Sequence, residues 1–185
     1  ATETVSFRID TELSMINAIR RVALSEIPTL AIDDVLVYTN QTPMDTEIIN
    51  HRLGLAPLRW TPGTIDSDTR VEVSINYTNT TSTNQTLYCR DFILGEGSSG
   101  VNAGWLFPDT PIVIARPKDS IRLKAWAVQG IGSDHSKWRA VSNCYFKDHP
   151  ESGYELFIES IGVYTPREIL VSALDIIESK LSTST

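Results

Sequence analysis

The feature that most constrains the fold is an order of elements that occurs twice. A strand followed by an amphipathic helix stands at each end of the chain, and short strands fill the centre. Near the start, Val5, Phe7 and Ile9 alternate with polar residues, the two-residue period of a half-buried strand. The next segment carries Ile16, Ile19, Ala23 and Ile27 at spacings of three and four, with Asn17, Arg20, Arg21 and Leu24 on a second face. Pro28 is expected to stop that helix, because proline disfavours helical geometry in the residue before it. Near the end, AVSNCYF and YELFIES read as strands, and a helix is predicted from Pro166 to about Leu181. Thr165-Pro166-Arg167-Glu168 has the form of a capping box with proline at the first helical position, where its missing N–H costs nothing. Ile169, Leu170, Ala173, Leu174, Ile177 and Leu181 then form a broad apolar stripe, and the Ser/Thr tail is expected to fray.

Between these ends, residues 31–39 read as a strand rich in Ile, Val and Tyr. Thr42-Pro43-Met44-Asp45 predicts a helix start, with Gly54 placed to end that helix in a left-handed cap. VEVSINY, TLYCRDF, PIVIA and IRLKAWAV are predicted strands parted by Gly, Pro, Asn and Ser clusters, and residues 95–104 read as a long loop. The expected class is α+β. Residues 1–39 and 139–185 would form a discontinuous subdomain, a sheet plus two long helices, and residues 40–138 an inserted β-rich subdomain. A small sheet needs cover on one face only, yet both terminal helices are apolar over more than one face. The surplus points to a partner, the alternative being that each helix is simply buried within this chain.

Composition removes several classes of function. Of 185 residues, 41% are hydrophobic and 21% charged, ordinary globular values, and no apolar run approaches the ~20 residues of a membrane span. The start, ATETVSF, has no basic segment leading into an apolar stretch, so no signal peptide is expected from it. Cys89 and Cys144 lack CxxC spacing, which argues against a zinc site or a disulfide framework and for a reducing compartment. A net charge of -7 opposes salt-driven binding to a phosphate backbone, so contact with DNA is expected only indirectly. There is no Gly-rich phosphate loop, nucleophile elbow or defined carboxylate pair, and His51 and His135 have no third ligand at recognisable spacing. Asn40, Asn76, Asn79 and Asn84 each begin an N-x-T sequon, which raises a rival reading: a secreted, N-glycosylated, β-rich adhesion or lectin-like module. Three of the four lie in an Asn/Thr-rich stretch where such tripeptides arise from composition.

Five blocks carry a more specific signal. NAIRRVALSEIPTLAID at 17–33 resembles the signature helix of the alpha-like subunits of multisubunit DNA-directed RNA polymerases, specifically the larger alpha-like subunit of archaeal and eukaryotic enzymes. EIINHRLGLAPL at 47–58, LYCRDF at 87–92, GIGSDHSKWRAV at 130–141 and the closing IESIGVYTPREILVSALDIIESKL agree with it in order. The chain departs from many relatives in two places. RWTPGTIDSDTR stands where they carry a cysteine-rich zinc loop, and the short KDHPESG link where they carry an iron–sulfur insertion, so neither metal is carried over and no cofactor is expected.

The resemblance implies a non-catalytic assembly subunit. It would pair with a smaller alpha-like subunit, dock the second-largest and largest catalytic subunits, and contribute to transcription without touching its chemistry. Ile16, Ile19, Ile27, Leu170, Leu174 and Ile177 are the expected heterodimer interface. Arg20 and Arg21 would offer planar donors to a large subunit. Glu47, His51 and Arg52, then Arg90 and Asp91 after Cys89, then His135, Lys137 and Trp138 complete the expected large-subunit docking surface, although Trp138 alone reads more readily as core. The expected location is the nucleus, with the archaeal cytoplasm or a viral factory as alternatives.

Overall fold

The structure is a computed structural model that describes residues 3–60, 70–95 and 103–183. In chain order the elements are β1 (Glu3–Ile9), α1 (Leu13–Ser25), β2 (Thr29–Asn40), α2 (Thr46–Gly54), β3 (Leu58–Arg59), β4 (Val71–Thr78), β5 (Gln85–Tyr88), β6 (Ile93–Leu94), β7 (Gly104–Trp105), β8 (Pro111–Ala115), β9 (Ser120–Gly130), β10 (Val141–Asp148), β11 (Tyr154–Ser160) and α3 (Pro166–Thr183). Short 3-10 turns lie at Cys89–Asp91 and Ser136–Trp138. The class is α+β, and the chain divides into two compact units: residues 1–29 with 130–185, and residues 30–129. The divisions therefore fall at 29/30 and 129/130, not at 39/40 and 138/139. The cause is pairing: β2 hydrogen-bonds to β9 and joins the sheet of the second unit, so it does not belong with the termini.

In the first unit, β1, β11 and β10 form an antiparallel sheet with β11 in the middle. Register sets its two faces. Phe7 stands opposite Leu156, and Leu156 opposite Phe146; Val5, Ile158 and Cys144 make the next row. Leu156 and Ile158 are fully buried because α1 packs on β10 and β11, α3 packs on β1 and β11, and the two helices pack on each other. Ile16, Ile19, Val22 and Ala23 form the inward face of α1, each large aliphatic stabilising by roughly 1.5–3 kcal/mol through burial. The helix ends at Ser25, and Ile27, in the pre-proline position, lies outside it although buried. The capping box at the start of α3 forms as expected: the Glu168 carboxylate accepts from the Thr165 N–H at 2.8 Å, and the Glu168 N–H donates to the Thr165 hydroxyl oxygen at 3.3 Å.

The second unit holds a four-stranded sheet, β2-β9-β4-β6, and two strand pairs, β3-β7 and β5-β8. Along β4 and β9, Val73 faces Ala125 and Ile75 faces Leu123, all buried, while Glu72 faces Trp126 and Ser74 faces Lys124 on the other side. The α2 helix packs on β8 and buries Ile49 and Leu53. Its start differs from the expectation: Asp45, whose carboxylate accepts from the Glu47 N–H at 2.8 Å, is the N-cap, and Pro43 lies upstream. Nor does Gly54 adopt a left-handed conformation. It is the last helical residue, and the cap is Leu55 with φ -87°. TLYCRDF is a strand only as far as Tyr88, where the Cys89–Asp91 turn takes over. The RWTPGTIDSDTR segment and the loop at 95–104 lie mostly outside the described residues.

Candidate docking surfaces

The expected heterodimer residues divide into two groups. Ile16, Ile19 and Ile27 are 0, 2 and 2% exposed within this chain, so they have no area left to give a partner. Their expected interface role is corrected to that of core. The reason is geometric: α1 lies flat on its own sheet, and its most regular apolar stripe faces that sheet. Leu170 and Ile177 are half-buried and Leu174 is exposed, since only Pro166, Ile169 and Ala173 of α3 are fully buried. The surplus apolar surface consists of Leu174, one of the expected interface residues, with Leu13, Met15 and Val171, which sequence reasoning did not single out, and Leu181, which it placed only within a general stripe. Val171, Leu174 and Leu181 repeat at spacings of three and seven, a stripe offset from the buried Ile169 and Ala173, but the period separates the two stripes without saying which one the sheet covers.

Between α1 and α3 runs a groove of about 360 Å³ lined by Ala18, Arg21, Val22, Ile177 and Leu181, among others. Lys180 and Glu26 form an ion pair beside it. Arg20 and Arg21 do not act together. Consecutive helical residues stand about 100° apart, so Arg21 lies on the groove while Arg20 turns to its own helix, donating to the Asn17 carboxamide oxygen at 2.8 and 3.2 Å.

In the second unit, Glu47 and His51 are exposed one turn apart on α2, whereas Arg52 donates to the Ile112 carbonyl at 3.0 Å and ties the helix to β8. Arg90 stands over the Tyr88 ring, 4.6 Å from its centroid, and pairs with Asp109. The Asp91 carboxylate accepts from the Tyr88 N–H at 2.7 Å and holds the 3-10 turn. Glu47, His51, Arg90 and Asp91 are thus exposed polar side chains whose neighbours already serve the fold.

The HisSerLysTrp segment belongs to the first unit. Trp138 is buried there rather than offered as an anchor, its carbonyl accepting from the Thr29 hydroxyl at 2.7 Å. Gly130 is the residue that admits the indole: a Cβ there would sit 2.5 Å from the Trp138 ring. Lys137 lies 4.3 Å from the centre of the same ring, and His135 meets its edge while accepting the Lys137 N–H on Nδ1. His135 therefore caps the start of the Ser136–Trp138 turn. Among the described residues no three His, Cys, Asp or Glu side chains cluster as metal ligands. Cys89 and Cys144 are free and buried, and burial pushes each thiol up to about 11.

Two sequons turn out to be turn architecture. Asn79 is 1% exposed; its Oδ1 accepts from the Thr81 N–H and hydroxyl, and its Nδ2 donates to the carbonyls of Thr83 and Ala115. Asn40 repeats this pattern, accepting from Thr42 twice and donating to the Met44 carbonyl. In both, the backbone N–H two residues on closes the Asx turn and the threonine hydroxyl adds a second bond, while the amide nitrogen a glycan would require is already engaged.

These features define a class: an α+β domain built from both termini, with apolar surface left on its terminal helices. Residues 7–181 match the family model described as the RNA polymerase Rpb3/Rpb11 dimerisation domain, and the chain belongs to that family. It is 33% identical over 178 residues to the DNA-directed RNA polymerase subunit Rpo3 of Methanocaldococcus jannaschii, covering 96% of this chain and 86% of that one. Rpo3 of Methanobrevibacter smithii is 30% identical over 83% of this chain, and Rpo3 of Pyrobaculum aerophilum 34% identical over 72%. The chain spans only 56% and 54% of those two relatives.

Proposed function

We propose that this chain is the larger alpha-like subunit of a multisubunit DNA-directed RNA polymerase, a non-catalytic scaffold that pairs with a smaller alpha-like subunit and recruits the large catalytic subunits. The observation that carries the reading is the apolar surface left on α3 and at the start of α1 after their own sheet is covered, in a chain whose family is defined by dimerisation. Leu170, Leu174 and Ile177, with Val171 and Leu181, form the proposed heterodimer face. Burial there stabilises by roughly 25 cal/mol per Å² before the costs of association. Glu47, His51, Arg90, Asp91 and Arg21 are proposed to meet large subunits, while Arg20, Arg52, His135, Lys137 and Trp138 shape the surfaces those subunits would meet. DNA is approached only through the large subunits. The named relatives are archaeal, so the nuclear expectation gives way to a cytoplasmic polymerase. The adhesion reading receives no support from these relatives, and the buried amide of Asn79 opposes it further.

The test is light scattering of the chain alone and after co-expression with a smaller alpha-like subunit. A one-to-one heterodimer is expected. A monomer indifferent to that partner would overturn the reading.

A further inference from the structure

The strands β4 and β5 follow one another in the chain, separated only by the Asn79–Asn84 turn, yet they do not pair. β4 bonds to β9 along its full length, but on its other side it meets β6 only at Val73 and Ser74. β5 bonds to β8 on one side. Among the described residues no strand lies against the remaining edge of either. A cavity of about 380 Å³ occupies the gap, lined by Ile75, Asn76 and Tyr77 from one arm and Gln85, Thr86 and Leu87 from the other. Side chains alternate along a strand, so three consecutive lining residues on each arm mean that the cavity meets both strands edge-on. The hairpin is held open at its base, where the buried Asn79 amide bonds to the Ala115 carbonyl of β8 as well as to its own turn.

Polarity of the edge follows from one bond. Gly95 N–H donates to the Glu72 carbonyl at 2.7 Å, so Glu72, Ser74, Asn76 and Thr78 direct their backbone groups away from β9. Asn76 thus presents its N–H and C=O to the cavity. On the rim stand the Asp91 carboxylate and Ile93, which at 69% exposure is the most open of the exposed large hydrophobics.

We propose that this open hairpin is a strand-addition site that accepts an extended segment of another protein between β4 and β5, with an apolar residue against the exposed Ile93 and a lysine or arginine at Asp91. A strand inserted here must have both of its own edges free. Each described strand of this chain already pairs with a neighbour, so a folded strand of a second copy does not meet that requirement. Main-chain hydrogen bonds to two facing edges would supply affinity, and the apolar and acidic contacts would supply selectivity. This goes beyond the subunit reading, for the site would take such a segment whichever assembly the chain serves.

The probe is a synthetic eight-residue peptide of alternating valine and threonine with one central lysine, titrated into the full chain while amide hydrogen exchange is followed by NMR. The Asn76 amide is expected to exchange freely in the unliganded chain and to slow by about tenfold or more with peptide, while the amides of Ile75 and Tyr77, which face β9, stay unchanged. Asp91→Asn keeps an acceptor for the Tyr88 N–H and should weaken the lysine peptide by about fivefold without affecting a glutamine analogue. Asn76→Pro, which removes one N–H from the free edge only, should abolish binding; unchanged exchange at Ile75 and Tyr77 checks that the variant folds. Three results would overturn the proposal: no slowing at Asn76 at saturating peptide, protection of Asn76 already present in the free monomer, or protection that grows with protein concentration alone, which would make a second copy the occupant.

Discussion

At the scale of single residues, several side chains marked out for recognition serve local geometry instead. Trp138 and Gly130 are one fitting: the ring occupies the space where a Cβ would be. Gly130→Ala is therefore expected to lower stability by about 1–3 kcal/mol, measurable by urea denaturation, with little change in the far-ultraviolet spectrum. The Thr165 and Glu168 pair makes a prediction with a pH signature. Hydrogen bonds from the Thr165 backbone and hydroxyl hold the Glu168 carboxyl below its ordinary value of 4.5. A depressed folded-state pKa means that the stabilisation is fully present above that value and is lost as pH falls through the folded pKa. Thr165→Ala should cost about 1 kcal/mol near neutral pH, and the difference from the unaltered chain should shrink as pH falls below 4.5 and through the lowered folded-state value. The two buried thiols should resist labelling by Ellman's reagent in the native chain at pH 8 and react on unfolding, because burial keeps both neutral.

At the scale of elements, the distinction that matters lies within each helix. One stripe of α3, through Ile169 and Ala173, is consumed by the sheet of its own unit, and the next, through Val171, Leu174 and Leu181, is not. Leu174→Asp is expected to leave the secondary structure and stability of the isolated chain within about 0.5 kcal/mol, because the residue is exposed there, while abolishing co-purification of the smaller alpha-like subunit. Ile169→Asp should instead unfold the first unit, since its charge would be buried without a partner. If Leu174→Asp co-purified normally, the face proposed for pairing would be wrong. The loops teach a related lesson. The N-x-T tripeptides at Asn40 and Asn79 have the same spelling as those at Asn76 and Asn84, yet the first pair form Asx turns and the second pair are exposed side chains.

At the scale of the whole molecule, the α+β class, the strand–helix order at both ends, the capping box and the family were all legible in the sequence. Each of those rests on local chemistry or on ordered blocks: a two-residue period, a Thr-Pro-x-Glu start, and five segments in family order. The scaffold role extends that reading to an assembly, and its test is mass in solution: a heterodimer with the smaller subunit, and with Arg21→Ala an intact heterodimer that recruits the large subunits less well. The placement of apolar area was not legible. Ile16 and Leu174 are both aliphatic, both helical and both in stripes of the same period, and nothing local distinguishes the one that is 0% exposed from the one at 44%. The same holds for the unit boundaries, set by the pairing of β2 with β9, and for the consecutive arginines, separated by helical rotation and by Asn17. Periodicity alone determined which residues could be hidden from water. Only the tertiary structure decided which of them this chain hides by itself, because burial depends on what a helix face is laid against and that neighbour comes from the other end of the chain.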